Sequence, residues 1–284
     1  MPKIAPSAHI DKGARIADDV EIGPLCYVGP HVSLGPGCRL LPQATILGHT
    51  EIGARTTIFP GAVLGGIPQD LKYRGTDTRL IIGDDNVFRE HVTIHPGTET
   101  GGGETRIGDH NQFQIGVHIA HDVRVGDNCV LSNSVQIAGH VVIEDAVNIS
   151  GLVGVQQFVT LGKFSFVAGA TRCAADVPPF LVFAGFEGLV VSVNEEGMRR
   201  WGFVDEDIRK VWDLYKTVFS KKAGRSGETL ASRIASAESN GSLTEHTRYL
   251  LDFVKRSHHD GVFGRYLEAK RRDVAAPPPA FYRG

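Results

Sequence analysis

The residues best suited to chemistry lie in the segment VHIAHD, which contains His118, His121 and Asp122. Imidazole titrates near neutral pH, and a carboxylate beside it can orient the ring, so His121 with Asp122 suits general-base activation of a hydroxyl or an amine. Further along, AGHV supplies Gly139 and His140. A glycine N–H next to such a base can stabilise an oxyanion. These residue types therefore predict a general-base site with its own oxyanion donor.

The element that must position these residues is a six-residue repeat. Neither an α-helix of period 3.6 nor an ordinary strand of period 2 gives a strict period of six, but a triangular parallel β-helix does. The apolar repeat positions are Ile10, Ile16, Ile22, Val28, Leu34, Leu40, Ile46, Ile52, Ile58, Leu64, Ile82, Phe88, Ile94, Ile107, Phe113, Ile119, Val125, Leu131, Ile137, Ile143, Ile149, Val155, Leu161 and Val167. The pattern predicts a β-solenoid of about eight coils, each of three segments.

Stacking of the coils brings the candidate residues together. Residues 18 apart should lie above one another, at roughly the 4.8 Å spacing of neighbouring strands. The two predicted columns are His121, Gly139, Gln157 and Asp122, His140, Phe158. With His118 a short step away, we expect three histidines, a carboxylate, a glycine and an amide within about 10 Å on one edge of the solenoid.

The rest of the chain divides around this repeat. The interruptions at 66–80 and 95–106 predict long loops, which in a compact repeat are usually functional. Residues 1–190 are expected to form the β-helix, which should end near the paired prolines that follow residue 177 because proline cannot donate to a ladder. Helical spacing over 191–262 predicts a small α-helical domain, and 263–284 is expected to be a tail.

Two other interpretations of the histidines remain open. His95, His118 and His121 could form a three-histidine zinc site between subunits of a β-helix trimer. The sequence lacks a repeated His-x-x-x-x-His ladder, and Asp122 suits an orienting carboxylate, so we predict no metal. Alternatively, the histidines could only bond neighbouring coils of a β-helical scaffold that has no catalytic function.

Composition excludes several classes of function. Lys and Arg number 30 against 32 Asp and Glu, which argues against a nucleic-acid-binding arm or a polybasic membrane patch. No stretch of 18 apolar residues and no signal-peptide core occurs, so no membrane span is expected. The four cysteines are far apart, which suggests neither a disulfide framework nor a zinc ribbon. We therefore expect a cytoplasmic protein, whose 34 glycines serve mainly the corners of the coils.

Seven segments resemble, in order and spacing, the UDP-N-acetylglucosamine acyltransferase family, whose members catalyse the first step of lipid A biosynthesis. They are GIPQDLKYRG, TIHPGTETGGG, VHIAHD, AGHV, QQFV, DVPPFLV and NEEGMRRWGF. The resemblance extends to about Val262. It implies a left-handed β-helix, a homotrimer with active sites between subunits, and a reaction that needs no metal or organic cofactor.

The resemblance also implies roles for individual residues. His121 matches the base that deprotonates the sugar 3-hydroxyl for attack on the thioester of 3-hydroxyacyl-[acyl carrier protein], Asp122 matches its orienting carboxylate, and the Gly139 N–H matches the oxyanion donor. The matched positions that bind substrate are Asp70, Lys72, His95, His118, His140, Gln157 and Arg200. Among them, Arg200 matches an arginine that holds the nucleotide phosphates. Gly151 and Gly169 leave room for the acyl chain, with Gly169 as the floor of its groove.

The carrier protein is acidic, so a basic docking surface is expected. The candidate residues for this surface are Arg199, Arg209, Lys210, Lys216, Lys221 and Lys222.

Four positions depart from the family pattern. Gln156 replaces a histidine, Phe186 and Glu187 replace Asn-His after a glycine, and Trp201 replaces a basic residue. All lie toward the nucleotide-sugar end. A 2,3-diamino UDP-sugar or another nucleotide sugar as acceptor therefore remains an alternative, as does a hexapeptide acetyltransferase that uses acetyl-coenzyme A.

Overall fold

The repeat forms a left-handed parallel β-helix, which confirms the predicted fold class. The computed structural model describes residues 1–219, 228–239 and 243–271. Each coil contributes one short strand to each of three faces, numbered here in chain order. Most strands on one face are parallel and pair residues that are 18 apart, as Lys3 and Glu21 are.

The strand bounds follow the six-residue repeat. Face 1 comprises Lys3–Ile4, Glu21–Ile22, Arg39–Leu40, Thr57–Ile58, Val87–Phe88, Gln112–Phe113, Val130–Leu131, Asn148–Ile149, Phe166–Val167, Leu181–Ala184 and Leu189–Val193. Face 2 comprises His9–Ile10, Tyr27–Val28, Thr45–Ile46, Val63–Leu64, Thr93–Ile94, His118–Ile119, Gln136–Ile137, Gly154–Val155 and Arg172–Cys173. Face 3 comprises Arg15–Ile16, Ser33–Leu34, His49–Ile52, Arg79–Ile82, Glu104–Ile107, Arg124–Val125, Val142–Ile143 and Thr160–Leu161.

The core has two inward positions per repeat, of which the six-residue pattern identified one. Each predicted apolar residue ends a strand, and from Ile22 onward all are buried. The residue two places earlier also points inward, as Val20 and Val135 do. Three of the four cysteines occupy this second position, and all four thiols are buried and free, as predicted.

Glycines line one corner because backbones approach each other there. A side chain on Gly53, Gly83 or Gly108 would place its Cβ within 2.8 Å of backbone atoms in the next coil. The left-handed conformation falls two residues later, and ordinary residues adopt it at most corners, including Asp122 at φ 60° and His140 at φ 61°. The positive φ of these two residues is therefore a property of the coil and not local strain of a site.

The two interruptions do not disturb the stack. Across the first loop Thr57 pairs with Val87, and across the second Thr93 pairs with His118. The first insertion adds two whole repeats, whereas the second adds one residue more than a repeat. This difference explains why the apolar phase shifts only once.

The solenoid ends in a way that the sequence did not predict. After Val177, the strand Leu181–Ala184 continues face 1 and then pairs antiparallel with Leu189–Val193. The helices that follow are α1 (Glu195–Arg200), α2 (Asp205–Val218), α3 (Leu230–Ser239), α4 (Glu245–Lys255) and α5 (Tyr266–Ala269), with a π-helical turn over Arg256–Asp260. No helix in the described ranges is both long and apolar enough to cross a membrane.

Part of the expected tail and of the expected docking surface lies outside the described residues, namely 272–284 and the pair Lys221 and Lys222. The described part of the tail, 263–271, contains α5 and packs against the last coils. On α1 and α2, Arg199, Arg209 and Lys216 each have a carboxylate within 4 Å.

Candidate active site

His121 and Asp122 form a buried dyad at the corner between faces 2 and 3. His121 Nδ1 lies 2.8 Å from Asp122 Oδ2, and the side chains are 8% and 1% exposed. Because Asp122 occupies Nδ1, the carboxylate fixes the ring and leaves Nε2 to face the site. The pair has the arrangement of a general base with an orienting carboxylate.

The loop 95–106 completes this dyad by bonding to Asp122. The sequence analysis did not predict these bonds. Asp122 accepts hydrogen bonds from the Thr98 N–H at 2.8 Å and the Thr98 hydroxyl at 2.6 Å, while its own N–H donates to Thr105 Oγ1. Gly101 packs so closely that a Cβ there would lie 1.9 Å from Asp122 Cγ. The Thr- and Gly-rich composition of the loop was the available signal, but no periodicity links such a loop to a particular carboxylate.

Gly139 lies directly against the base, in the predicted column. A Cβ at this position would lie 2.6 Å from His121 Cε1 and 2.8 Å from Nε2. The His140 N–H donates to the His121 carbonyl at 3.1 Å, which fixes the two coils in this register. Only glycine lets the backbone approach the reactive nitrogen this closely.

The Gly139 N–H belongs to a backbone position that the coil leaves without a ladder partner. This is the second residue after each inward apolar residue, and proline fills it at Pro24, Pro30 and Pro42, which a ladder bond would forbid. Between faces 3 and 1, aspartates from the next coil accept from that N–H at 2.7–2.9 Å, as Asp109 does from Asp84. No protein acceptor within the described part of the chain is bonded to the Gly139 N–H.

His140 extends the site along the solenoid. Its ring stacks on Phe158 with centroids 4.5 Å apart, and its Nδ1 lies 3.9 Å from Asp122 Oδ2. Burial lowers the pKa of His140, and the nearby Asp122 carboxylate only partly opposes this shift. His140 is therefore held as a neutral imidazole, able to donate or accept a hydrogen bond.

Asp70 reaches the base from the loop 66–80. Its Oδ2 lies 4.0 Å from His121 Nε2, is buried, and has no hydrogen-bond partner among the described residues. Its Oδ1 accepts from the Lys72 N–H at 2.9 Å. An unpaired buried carboxylate oxygen is costly, so this atom is suited to accept a hydrogen bond from a polar group of a ligand.

His95 and His118 form the floor beside the dyad. Their rings meet edge to face at 4.9 Å, and His118 Nδ1 is 2.8 Å from Thr93 Oγ1. Burial, together with the positive charge that His118 and His121 carry when protonated, lowers the pKa of His95 to about 4. Burial likewise lowers the pKa of His118. Both rings are therefore neutral at physiological pH.

Other predicted residues are not gathered around His121 within one chain. Gln157 follows Gly139 in its column and is exposed. Gly151 and Gly169 stack one coil apart, but at the corner between faces 1 and 2. Arg200 lies on α1, bonded to Glu196 at 2.8 Å. It lines a pocket of about 720 Å³ over face 1, which contains none of the residues around the dyad.

The residues that depart from the family pattern lie in two places. Gln156 lines a groove of about 530 Å³ along face 2, together with His118 and Arg172. Trp201 lines the pocket of Arg200 and is half-exposed. Phe186 and Glu187 are exposed in the turn before the last strand.

The donor atoms of His121, Asp122 and His140 lie within 4.8 Å of one another, close enough to surround a metal ion. His95, His118 and His121 are not brought together in this way among the described residues. In the first group, however, His121 Nδ1 and both Asp122 oxygens already take part in protein hydrogen bonds. A metal ion would have to replace these bonds, which fits the donor set poorly.

Comparison with known proteins places this geometry in context. A family model described as Udp N-acetylglucosamine O-acyltransferase, domain 2, matches residues 176–263, and the bacterial transferase hexapeptide model (six repeats) matches 104–139. The acyl-[acyl-carrier-protein]–UDP-N-acetylglucosamine O-acyltransferase of Rhizobium johnstonii is 40% identical over 89% of this chain and 91% of its own. The protein of the same name from Anaeromyxobacter sp. strain K is 45% identical over 89% and 97%.

The fold agrees with these matches. The crystal structure of a UDP-N-acetylglucosamine acyltransferase from Bacteroides fragilis superposes with a TM-score of 0.84 at 35% identity, covering 89% of this chain and 96% of that one. The similarity therefore includes both the solenoid and most of the helices that follow it.

Proposed function

Since the chain belongs to the acyl-[acyl-carrier-protein]–UDP-N-acetylglucosamine O-acyltransferase family, we propose that it transfers a 3-hydroxyacyl group from acyl carrier protein to the 3-hydroxyl of UDP-N-acetylglucosamine, as in lipid A biosynthesis. The chain is thus an acyltransferase. The observation that carries the proposal is the buried dyad, with its free Nε2 against the open Gly139 N–H.

In this mechanism His121 Nε2 removes the proton from the sugar 3-hydroxyl as its oxygen attacks the thioester carbonyl. Asp122 stabilises the imidazolium that forms, and three hydrogen bonds hold its carboxylate in place. Collapse of the tetrahedral intermediate forms the ester and breaks the C–S bond. The proton then passes from His121 to the departing thiolate, which regenerates the neutral base.

The Gly139 N–H serves as the oxyanion donor. At the corner between faces 3 and 1, the same backbone position binds a carboxylate oxygen at 2.7–2.9 Å, so the coil geometry is suited to an anionic oxygen. At Gly139 this place is open to the oxygen of a tetrahedral intermediate. An N–H already fixed in place stabilises that charge without reorganisation.

Substrate recognition uses the groups around the dyad. Asp70 Oδ2 accepts from a sugar hydroxyl or amide, since it is buried and unpartnered in the protein. Lys72 and the neutral His140 contact the sugar nucleotide from the open side. We assign the remaining binding roles, on the matching motifs, to His95, His118, Gln157 and Arg200.

Within one chain, the dyad lies at the corner between faces 2 and 3, whereas Arg200 lies over face 1. The acyl groove over Gly151 and Gly169 lies at a third place, the corner between faces 1 and 2. We therefore propose that active sites form between subunits of a homotrimer, in which Arg200 of one subunit binds the phosphates of a nucleotide held at another subunit's His121. The reaction needs neither a metal nor an organic cofactor. It takes place in the cytoplasm, where the carrier protein and the nucleotide sugar occur, and it involves no nucleic acid.

The test is a reconstituted reaction with a mixed pool of acyl carriers. UDP-N-acetylglucosamine and its 2,3-diamino analogue are offered together, and products are identified by mass spectrometry. An ester of UDP-N-acetylglucosamine is expected. An amide of the diamino sugar as the main product would move the assignment to that acceptor, and transfer from acetyl-coenzyme A alone would identify an acetyltransferase. The unchanged chain must form one of these products if it is an acyltransferase of this kind.

A further inference from the structure

The segment from Gly261 to Arg271, here called the C-terminal strap, is fixed against the last coils. Buried Arg265 donates to the Ala174 carbonyl at 2.8 Å, and Asp176 accepts from the Tyr266 N–H at 2.9 Å. The Asp176 N–H in turn donates to the Gly264 carbonyl. These bonds, which involve a buried guanidinium and a buried carboxylate, hold the strap in one position along the solenoid.

The strap reaches the catalytic corner. Arg271 Cζ lies 5.2 Å from the ring centroid of Phe158, which also stacks on His140. Lys270 Nζ lies 4.2 Å from the Tyr266 ring centroid. Both cations line a pocket of about 300 Å³ that Asp122 and His140 also line. This pocket therefore joins the strap directly to the dyad.

The pocket is strongly basic. Its lining includes four permanent cations, Lys72, Arg124, Lys270 and Arg271. The acidic side chain in the lining is Asp122, which is 1% exposed and already bonded to Thr98 and His121. Just outside, Glu268 binds Arg271 at 3.2 Å, but it also pairs with Arg265. Four cations thus line the pocket, together with the carboxylate of Asp122, while the carboxylates of Asp70 and Glu268 lie beside His121 and Arg271.

We propose that this pocket is a phosphate-binding subsite, in which Lys270 and Arg271 of the strap bind a phosphate group of a substrate while its reacting end lies at His121. Guanidinium and ammonium groups bind phosphate through charge-assisted hydrogen bonds. Phe158 lies about two coil spacings, roughly 10 Å, from Asp122 along the stack. The nucleotide sugar carries its diphosphate within such reach, and the donor carries a phosphodiester at the far end of its longer phosphopantetheine arm.

The strap cations lie outside the part of the chain that the family models match. The match to the acyltransferase domain model ends at residue 263, before Lys270 and Arg271. Among the cations on α1 and α2 that the sequence suggested for docking, Arg199, Arg209 and Lys216 pair with carboxylates on their own helices.

The test uses the double variant Lys270→Gln, Arg271→Gln in the full chain. Its control, Lys12→Gln with Arg15→Gln, removes two exposed cations at the opposite end of the solenoid. KM and kcat are measured for UDP-N-acetylglucosamine and for three donors: acyl carrier protein, acyl-phosphopantetheine, and acyl-pantetheine without phosphate. Loss of two charge-assisted contacts should raise the KM of the phosphate-bearing substrate about tenfold, with kcat within twofold of the control.

Comparison of the substrates distinguishes the diphosphate of the nucleotide sugar from the phosphodiester of the donor. A raised KM for the nucleotide sugar with every donor places the diphosphate in the pocket. A raised KM for acyl-phosphopantetheine but not for acyl-pantetheine places the donor's phosphodiester there. The subsite is wrong if every KM matches that of the control, or if only the intact carrier protein is affected, since that would mean recognition of its acidic surface. The inference rests on the proposed function, but their failures differ, because without that function the unchanged chain forms no product.

Discussion

Two corners of the same solenoid use one backbone geometry for opposite purposes. Between faces 3 and 1, four successive open N–H groups are each bonded to an aspartate of the next coil, which forms a ladder through Asp84, Asp109, Asp127 and Asp145. Between faces 2 and 3, the equivalent residues include His121 and Gly139, and the Gly139 N–H has no such acidic partner. The fold therefore provides an N–H that can bind an anion at both corners. The residue in the next coil determines whether an aspartate side chain or a substrate oxygen binds to it.

The largest effect should come from removing the base at the corner between faces 2 and 3. His121→Ala is expected to lower kcat about 10³-fold, because it removes the general base. Steady-state kinetics measure the loss, and thermal unfolding checks that the fold is retained. His110→Ala, which removes an exposed imidazole at the aspartate corner, is the control and should keep its activity. Full activity of His121→Ala would refute the assignment of the base.

The next variant gives the corner between faces 2 and 3 the aspartate that is found at the corner between faces 3 and 1. Gln157 stands one coil after Gly139, where the ladder has its aspartate. Gln157→Asp should place a carboxylate on the Gly139 N–H, block the oxyanion, and lower kcat about 10²-fold relative to Gln157→Asn. The comparison with asparagine separates loss of the glutamine from occupation of the N–H. Equal kcat values for the two variants would show that Gly139 is not the donor.

A third effect concerns the neutral histidines beneath the dyad. The pKa of His95 is about 4 in the folded chain, below the ordinary value of 6.5. As pH falls from 6.5 toward 4, the unfolded chain binds a proton that the folded chain does not, so the free energy of unfolding decreases. Between pH 7 and pH 5 this contribution is about 2 kcal/mol.

His95→Gln should therefore reduce the loss of stability between pH 7 and pH 5 by that amount, as measured by denaturant unfolding at both pH values. His9→Gln, which removes an exposed histidine from the first coils, is the reference. An identical pH dependence in the two variants would contradict the lowered pKa of His95.

The smallest effect is expected at the aspartate corner. Asp109→Ala removes the acceptor of the Asp84 N–H and should lower the free energy of unfolding by about 1 kcal/mol, as loss of a helix cap does, with kcat unchanged. Asp18→Ala is the matched control, since Asp18 occupies the same place in the first coil and is exposed. A loss of activity in Asp109→Ala would mean that the two corners are not functionally distinct.

The solenoid could be predicted well from the sequence because every coil repeats the same six-residue pattern of inward apolar residues. A strict period of six fixes which residues point inward and which stack, so the columns of His121 and Asp122 could be written down before any coordinates. The bond from Thr98 to Asp122 could not, because an irregular loop has no period that relates it to the coil it covers. Similarly, the pattern could not place Arg200 relative to the dyad, since the helices lie beyond the last repeat.

The different lengths of the two inserted loops show how this fold keeps position. If register were counted along the chain, an insertion that is not a multiple of six would turn every later residue out of the core. It does not, because Thr93 and His118 pair across the second loop as Thr57 and Val87 do across the first. Each coil is aligned by the coil before it, so what is inserted between them is free to vary. The loops that carry Asp70 and Thr98 can therefore differ in length without moving the coils that hold His121 and Gly139.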